Sequence, residues 1–563
     1  MSSPQVERLV VGRIATLAGP AGFAWVEALA ISGGNVIAAG KLADLQGMTG
    51  PRTRRILLQA DEVAIPALTD AHLHLGDAAI ARSEIDLTDL SLDGALSLIG
   101  EAHARARDDG AWLVGAGWDI DHFGAWPTAT DLATIAPGRR IALWSRDHHA
   151  IWASPEGLTA AGVGERTVDP PGGRIRRDPD GRPEGVLLEN AATLAASAIP
   201  PPTVEALELE VPALARELLE LGIAAVHDPG SLLPDPRLER AVVAFGHLSD
   251  RGELPIRVHL SIRRDGLAAA RSRSLRSGEP IGSMPRPRGS SPRPIGSTPE
   301  PRAHMGWLKL FADGALGSRT AALLGPQGGS PAGSPGDGSR IFVTQPGELA
   351  ELAREAVDAG IASQIHAIGD AAVRAALGAL EPIAGRSNIR PRIEHVQLLH
   401  PADVSRFATA GIVASVQPSH LRTDAAPARA EWGERAEADG YPYGALAAAG
   451  ATLAFGSDAP VETIDPWPGL ELAATRRSPD WPEGTPPFGP AQALALERIL
   501  RAACVGAAVA AGESRRGRLR PRSPADLIVI PVAALAEPVE VGGPLGRVRP
   551  RLVLVEGQVV VER

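Results

Sequence analysis

Eight short apolar segments alternate with alanine- and leucine-rich segments of helical length between about Val63 and Gly512, and this alternation constrains the fold most. It is typical of βα units that build a parallel sheet. The candidate strands are residues 62–68, 223–227, 256–260, 307–311, 362–366, 392–395, 412–416 and 452–456. Eight such units predict an α/β fold of the (β/α)8 or TIM barrel type, in which functional residues gather at the carboxyl ends of the strands.

The two ends of the chain have a different pattern. Short alternating apolar runs separated by glycines occupy residues 1–62, and similar runs occupy residues 516–563. This pattern is typical of antiparallel strands and turns. We expect the two ends to build one small β-domain together, with the barrel domain spanning residues 63–515.

Two stretches do not fit the eightfold repeat. Residues 76–202 are too long for one βα loop, so we expect them to form an inserted subdomain after the first barrel strand. Residues 271–302 contain a seven-residue Pro-x-Gly-Ser-x-Pro-x unit that starts at Pro280, Pro287 and Pro294. Its prolines exclude a coiled coil, and its composition predicts a disordered surface loop.

Composition excludes several classes of function. The formal net charge of −10 would repel nucleic acid, and the single cysteine, Cys504, can form neither an internal disulfide nor a thiolate zinc cluster. Charged residues interrupt the apolar residues of Met1–Gly34, so no signal-peptide core or membrane span is predicted there. We therefore expect a cytoplasmic protein that acts on a small molecule, with no nucleic-acid or membrane partner and with a homodimer as one option.

Histidines recur where the predicted strands end. An Asp-x-His-x-His motif places His72 and His74 just after the first barrel strand, and residues two apart in an extended segment point to the same side. His366 and His395 each end a predicted strand, and Asp458 follows another. A single strand-end histidine is often structural, but five such groups at one end of a barrel predict a metal site.

Lys309 is one of only two lysines, the other being Lys41, among 56 Lys and Arg residues. Alternation along its predicted strand places it on the same side as Trp307 and Phe311, inside the barrel. A buried, unpaired charge is costly, so this amine needs an explanation. Either it pairs with Asp313 or Asp458, or it takes up carbon dioxide to form a carbamate that bridges two divalent ions. Arginine cannot perform this second task.

Ten segments carry motifs that are shared with one known family. They are Asp70-Ala-His-Leu-His, Ala150-Ile-Trp-Ala-Ser with His149 before it, Pro171-Gly-Gly-Arg-Ile, Asp180-Gly-Arg-Pro-Glu-Gly-Val-Leu, Gly222-Ile-Ala-Ala-Val-His-Asp, Leu308-Lys-Leu-Phe-Ala-Asp-Gly-Ala-Leu-Gly-Ser-Arg-Thr-Ala, Ile365-His-Ala-Ile-Gly-Asp, Ile393-Glu-His, Val416-Gln-Pro-Ser-His and Phe455-Gly-Ser-Asp-Ala-Pro-Val. Through these segments nearly the whole chain resembles the amidohydrolase superfamily. Within it, the chain resembles the YtcJ-type branch that includes N-substituted formamide deformylases.

The resemblance implies a centre with two divalent metal ions, which we expect to be zinc. Its ligands here would be His72, His74 and Asp458 for the first ion, His366 and His395 for the second, and carbamylated Lys309 as the bridge between them. The resemblance further implies that the two chain ends form a composite β-sandwich and that residues 76–202 are a branch-specific insertion.

The resemblance also implies an activity, which is hydrolysis of a non-peptide, amide-like carbon–nitrogen bond by a metal-bound hydroxide. Ions that share a water lower its pKa to about 7. Asp458 would act as general base toward that water and then as general acid toward the departing nitrogen. Candidates for substrate binding are His149, His227 and His420, together with Arg319, which could pair with a substrate carboxylate. A structural role for each of them is an equal alternative.

Two other functions stay open at this stage. In the first, one ion held by His72, His74, His366 and Asp458 deaminates a heterocycle, while Lys309 stays an ordinary amine. In the second, the chain is a catalytically silent relative that serves as an assembly scaffold. Serine-hydrolase and P-loop chemistries lack their motifs, since the sequence contains neither Gly-x-Ser-x-Gly nor Gly-x-x-x-x-Gly-Lys-Ser/Thr.

Overall fold

The structure, a computed structural model, describes residues 6–105, 111–232, 239–282, 300–324 and 341–563, and its strands form three sheets. In chain order the strands are β1 (Arg8–Ala15), β2 (Trp25–Ser32), β3 (Asn35–Gly40), β4 (Arg54–Leu57), β5 (Glu62–Pro66), β6 (Leu68–Asp70), β7 (Ile85–Asp86), β8 (Leu113–Trp118), β9 (Ile141–Ser145), β10 (Ala150–Ala153), β11 (Gly173–Arg177), β12 (Pro183–Glu189), β13 (Ile223–Asp228), β14 (Arg257–Arg263), β15 (Ala303–Phe311), β16 (Ser363–Ala367), β17 (Arg392–His395), β18 (Val413–Val416), β19 (Thr452–Phe455), β20 (Leu527–Pro531), β21 (Leu552–Val555) and β22 (Gln558–Glu562).

Helices connect these strands. They are α1 (Leu42–Gln46), α2 (Leu75–Ala81), α3 (Leu92–Arg105), α4 (Ile120–Phe123), α5 (Ala129–Ile135), α6 (Pro155–Ala160), α7 (Ala192–Ala196), α8 (Val204–Glu220), α9 (Glu239–Arg251), α10 (Leu267–Ser272), α11 (Pro346–Asp358), α12 (Asp370–Leu380), α13 (Val404–Ala410), α14 (Leu421–Trp432), α15 (Glu434–Asp439), α16 (Tyr443–Ala448), α17 (Pro466–Thr475), α18 (Leu496–Arg501) and α19 (Ala507–Ala510). Among these described helices, none combines the length and the apolar character that a bilayer-spanning segment requires.

The strands β6 and β13 to β19 form a nearly closed, eight-stranded parallel barrel, as the sequence predicts. Each strand pairs in parallel with the next one along the chain. The first and last strands meet where the Ala71 amide donates to the Phe455 carbonyl at 2.9 Å and the Asp458 amide donates to the His72 carbonyl at 2.6 Å. The residues after β6 and β19 are thereby brought side by side.

Helix α8 illustrates how the sequence covers the barrel. The Thr203 hydroxyl caps its first turn by accepting a hydrogen bond from the Ala206 amide, and Gly222, at a φ of +91°, follows its end. Its buried face consists of Leu207, Val211, Leu214 and Leu218. This helical spacing places one apolar stripe against the strands.

The predicted first barrel strand over residues 62–68 is wrong, because this segment belongs to two sheets. Strand β5 ends at Pro66 and pairs with β20 and β1, whereas the barrel strand β6 begins at Leu68. The Ala67 amide donates to the Asp526 carbonyl, and the Leu68 amide donates to the Gly222 carbonyl. Both halves are apolar and buried, so the hydrophobic pattern does not separate them.

Both ends of the chain contribute to one eight-stranded sheet. Its order is β22-β21-β20-β5-β1-β2-β3, with β4 paired to β1. Strands from residues 8–66 and from residues 527–562 therefore lie in the same layer. That this layer forms a sandwich stays a prediction.

A third sheet comes from the segment that follows the first barrel strand. Its order is β11-β12-β10-β9-β8-β7, and all six strands lie within residues 76–202. The independence of that whole range as a subdomain stays a prediction. Most of the predicted disordered loop over residues 271–302 lies outside the described residues.

Three neighbouring histidines lie on adjacent barrel strands, and two of them, His227 and His259, are buried. The ring of His259 lies 5.2 Å from those of both His227 and His304. Burial, together with the nearby Arg257 guanidinium, lowers the pKa of His259 to about 3. The folded chain therefore holds this imidazole neutral at pH values where the unfolded chain protonates it.

Because the pKa of His259 is lowered in the folded chain, we expect the stability of the fold to decrease in acid. The contribution of His259 is fully present above the unfolded pKa of about 6.5 and is lost as the pH falls toward 3, because only the unfolded state then binds the proton. From pH 7 to pH 4.5, we expect the free energy of unfolding to fall by about 3 kcal/mol more in the wild type than in His259→Gln. Urea unfolding at both pH values measures it, with the exposed His247→Gln as control; parallel pH profiles for wild type and His259→Gln would contradict the prediction.

Candidate metal centre

A cavity of about 910 Å³ opens at the carboxyl end of the barrel strands. The six predicted metal ligands all line it: His72, His74, Lys309, His366, His395 and Asp458. They come from five different strand ends, so the barrel converges them as the sequence predicts. Three of the four candidate substrate contacts, His149, Arg319 and His420, also line this cavity.

Asp458 lies at the centre of the cluster. Its Oδ1 is 3.2 Å from His72 Nε2 and 3.5 Å from His74 Nε2, while its Oδ2 is 3.2 Å from His420 Nε2 and 3.8 Å from His395 Nδ1. The ring of His366 lies 4.5 Å from that of His395. One carboxylate thus faces four imidazoles, and a fifth imidazole is adjacent.

The local sequence explains this close approach. Asp70 accepts hydrogen bonds from the amides of His72 and Ser457, which ties the ends of β6 and β19 together. A Cβ atom at Gly456 would lie 2.4 Å from the His72 amide nitrogen, so the position requires glycine. Asp458 itself has a φ of +64°, a left-handed conformation that is rare for residues with a side chain.

Buried partners orient the first two histidines. His72 Nδ1 lies 2.5 Å from Glu394 Oε2, and His74 Nδ1 lies 2.7 Å from the Gly230 carbonyl. Burial raises the pKa of Glu394, but the Arg392 guanidinium 2.6 Å away and His72 outweigh it and lower that pKa to about 2. An ionised acceptor holds His72 through Nδ1, and this contact turns Nε2 toward Asp458.

The donor set fits a divalent metal ion. Among the described residues, two buried nitrogen atoms of the cluster, His72 Nε2 and His395 Nδ1, have no hydrogen-bond partner. Such atoms are costly unless a ligand satisfies them. Two groups of three residues hold their ligand atoms within 4.8 Å of one another, namely His72, His74 and Asp458, and His395, His420 and Asp458. Imidazole and carboxylate ligands suit zinc and similar ions.

The second of these groups contains His420 where the sequence predicts His366. His366 Nε2 lies 3.1 Å from the Gly314 carbonyl and 3.8 Å from Asp313 Oδ1. The assignment of His366 to a second ion therefore stays a prediction, and His420 joins the candidate ligands.

Lys309 is buried at the edge of this cluster, with Nζ 4.9 Å from the centre of the Phe311 ring. Burial lowers its pKa to about 8, against the attraction of Glu394 and Asp458. Within the described residues it forms no salt bridge with Asp313 or Asp458, so the paired-amine explanation lacks its partner. A neutral amine is the form that can react with carbon dioxide.

A histidine–carboxylate pair, His149 and Glu189, lies beside the cluster. His149 Nδ1 lies 2.7 Å from Glu189 Oε2, and Glu189 also accepts a hydrogen bond from the Thr320 hydroxyl. Burial lowers the pKa of His149, but the Glu189 carboxylate outweighs it and raises that pKa to about 9. The resulting cation lies beside His366, with the rings 4.9 Å apart. The sequence analysis missed Glu189, because its partner lies 40 residues away without a characteristic spacing.

Two candidate substrate contacts have other partners. His227 does not line the cavity, and its Nδ1 lies 3.0 Å from Arg392 Nη1 beneath the cluster. Arg319 lines the cavity mouth, where it pairs with Asp121 at 3.4 Å and with Glu431 at 3.6 Å. The geometry therefore gives both residues structural partners.

Glu394 should control metal affinity without touching the metal. We expect Glu394→Gln to weaken binding by about 10- to 100-fold, because the amide no longer fixes the His72 tautomer. Competition with a chelator of known affinity measures the dissociation constant. Glu381→Gln, which removes a carboxylate from a partly exposed pair with Arg406, is the matched control. Equal affinity in wild type and Glu394→Gln would rule out this orienting role.

Comparisons with known proteins agree with this geometry. Residues 60–561 match the profile of a family described as the amidohydrolase family. The chain is 26% identical over 543 residues to the putative amidohydrolase YtcJ of Bacillus subtilis (strain 168), covering 95% of this chain and 96% of that protein. It is 26% identical over 531 residues to the N-substituted formamide deformylase of Arthrobacter pascens, covering 90% of each. The crystal structure of an uncharacterized metal-dependent hydrolase from Pyrococcus horikoshii OT3 matches with a TM-score of 0.71 at 25% identity, over 96% of this chain and 99% of that one.

Proposed function

Because this chain belongs to the amidohydrolase family and is a metal-dependent hydrolase, we propose that it cleaves a non-peptide, amide-like carbon–nitrogen bond. The observation that carries the proposal is the Asp458 carboxylate, which faces four imidazoles within 4 Å at the base of a substrate-sized cavity. The name of the deformylase from Arthrobacter pascens supports the same bond type.

The residues that would hold the metal are His72, His74 and Asp458 for one zinc ion and His395, with His366 or His420, for a second. Lys309, as a carbamate, would bridge the two. When bound, the ions supply an acidified water molecule and polarise the substrate carbonyl.

Asp458 is the residue that moves the proton in this proposal. Burial raises its pKa, but His72, His420 and His74 outweigh it and hold that pKa well below the usual range. The group is therefore a carboxylate at neutral pH, ready to accept the proton of the attacking water. It then donates this proton to the departing nitrogen, and such positioned transfer contributes about 10²- to 10⁴-fold to a rate.

His149 is proposed to stabilise the charge that develops on the carbonyl oxygen. Its bond to Glu189 fixes the ring, and the cation supplies a donor on the cavity side. The deaminase alternative requires His366 beside His72, His74 and Asp458. Among the described residues, the groups with close ligand atoms do not include His366, so no observation favours that alternative.

Turnover of a substrate panel by the zinc-loaded chain tests the proposal. The panel contains N-formyl amines, N-acyl amino acids and cyclic ureas, with amino-substituted heterocycles as the comparison class. We expect hydrolysis in at least one of the first three classes and its loss in Asp458→Asn. Release of ammonia from heterocycles alone would favour the deaminase alternative instead.

A further inference from the structure

Arg263 is a cation of the cavity wall that the sequence analysis did not single out. It ends β14, pairs in register with Lys309 on β15, and lines the cavity. Its guanidinium carbon lies 4.8 Å from the centre of the Phe311 ring, and its Nη1 donates to the carbonyls of Ser231 at 3.1 Å and Leu232 at 2.9 Å. These contacts fix the plane of the guanidinium.

The carboxylates that attract Arg263, those of Asp265 and Asp77, lie beyond salt-bridge distance, whereas the other arginines of the cavity have close carboxylate partners. Arg146 pairs with Glu462 and Asp89, Arg319 pairs with Asp121 and Glu431, and Arg422 pairs with Glu462. Within the described part of the chain, Arg263 forms no salt bridge, and its hydrogen bonds use Nη1 alone. Its Nε and Nη2 therefore remain available to an anion that enters the cavity.

The free edge of this guanidinium has a specific shape. Nε and Nη2 lie on the same side and present two parallel N–H groups, which match the two oxygens of a carboxylate. Arg263 is the strand neighbour of Lys309, and both residues line the same cavity. An anion bound there would be part of a molecule whose reacting bond lies at the cluster.

Building on the proposed function, we propose that Arg263 binds a carboxylate of the substrate. The substrate class is then an amide with a carboxylate close to the scissile carbon–nitrogen bond, as in an N-acyl amino acid. Arg319, which the sequence suggests for this role, already pairs with two carboxylates at the cavity mouth.

A matched pair of substrates tests the proposal. N-formylphenylalanine and N-formylphenethylamine differ only in the carboxylate, and the comparison is the ratio of their kcat/KM values. We expect Arg263→Gln to lower this ratio at least about tenfold, mainly through KM of the acid. The control is Arg264→Gln, which removes an exposed neighbouring arginine paired with Glu348 and should leave the ratio unchanged.

Three outcomes would overturn the proposal. An unchanged ratio in Arg263→Gln excludes a carboxylate contact there. A ratio that falls only in Arg319→Gln assigns the carboxylate to Arg319. Equal losses for both substrates, together with loss of the added carbon dioxide mass on Lys309, would show that Arg263 stabilises the carbamate instead.

A binding measurement separates this proposal from the proposed function. Titration calorimetry compares 3-phenylpropanoate with 3-phenylpropanamide in the zinc-loaded wild type and in Arg263→Gln. Metal binding by the carboxylate is common to both proteins, so the difference between them reports Arg263. We expect Arg263→Gln to weaken binding of 3-phenylpropanoate at least about tenfold relative to binding of 3-phenylpropanamide. This result is expected even if neither formyl compound is hydrolysed. Equal relative affinities in both proteins would overturn the assignment of Arg263 whatever the turnover.

Discussion

Asp458→Asn is expected to lower kcat by about 10³-fold or more while the chain stays folded. The substitution preserves the shape of the side chain and the hydrogen bond that the backbone amide of residue 458 donates to the His72 carbonyl. It removes the carboxylate that accepts and returns the proton in the proposed reaction. It also replaces the charged group of a proposed metal ligand by a neutral one. The effect is therefore expected in kcat and in metal content, with little change in the far-ultraviolet circular dichroism.

Steady-state kinetics on the best substrate of the panel measure this effect. The control is Asp358→Asn, which removes an exposed carboxylate paired with Arg386 on the barrel exterior. It should leave kcat within a factor of two. If Asp458→Asn keeps more than about a tenth of the wild-type kcat at equal metal loading, Asp458 is not the proton-transfer group.

Lys309→Met is expected to abolish measurable turnover and to remove the second metal ion. The methionine side chain fills similar space beside Phe311, so packing is retained, but it cannot form a carbamate. The proposed bridging ligand would then be lost, and the two proposed sites would no longer share a negative group. We expect a loss of about 10³-fold or more, comparable to that in Asp458→Asn.

The composition of the chain makes this experiment unusually clean. Lys41 is the other lysine, and it lies exposed before α1 and does not line the cavity. Lys41→Met should therefore keep full activity. Native mass spectrometry should find one added carbon dioxide in the wild type and in Lys41→Met, and none in Lys309→Met. A fully active Lys309→Met would eliminate the carbamate bridge.

The sequence predicts the barrel well because seven of its strands are short apolar runs flanked by helical segments. The first strand fails for a physical reason, since β5 and β6 are both buried and only a change of hydrogen-bonding partner at Ala67 separates them. The pairing of the two chain ends in one sheet follows from their shared alternating pattern.

The cluster itself is predictable for a different reason. A barrel converges its strand ends, so residues at those ends meet whatever their separation in sequence. The position in the sequence does not identify residues that contact a histidine of the site. Glu394 lies one residue before His395 but faces His72, and Glu189 reaches His149 from a separate sheet. Arg263 is inconspicuous in an arginine-rich sequence, and only the structure shows that it lines the cavity with Nε and Nη2 unused.

We propose that side chains from distant strand ends form one binding centre for divalent metal ions. Elemental analysis of the folded chain, after removal of all metal and reconstitution with zinc, counts the tightly bound ions. We expect two zinc ions per wild-type chain and fewer in Asp458→Asn. A folded wild-type chain that retains no zinc after gel filtration would contradict it.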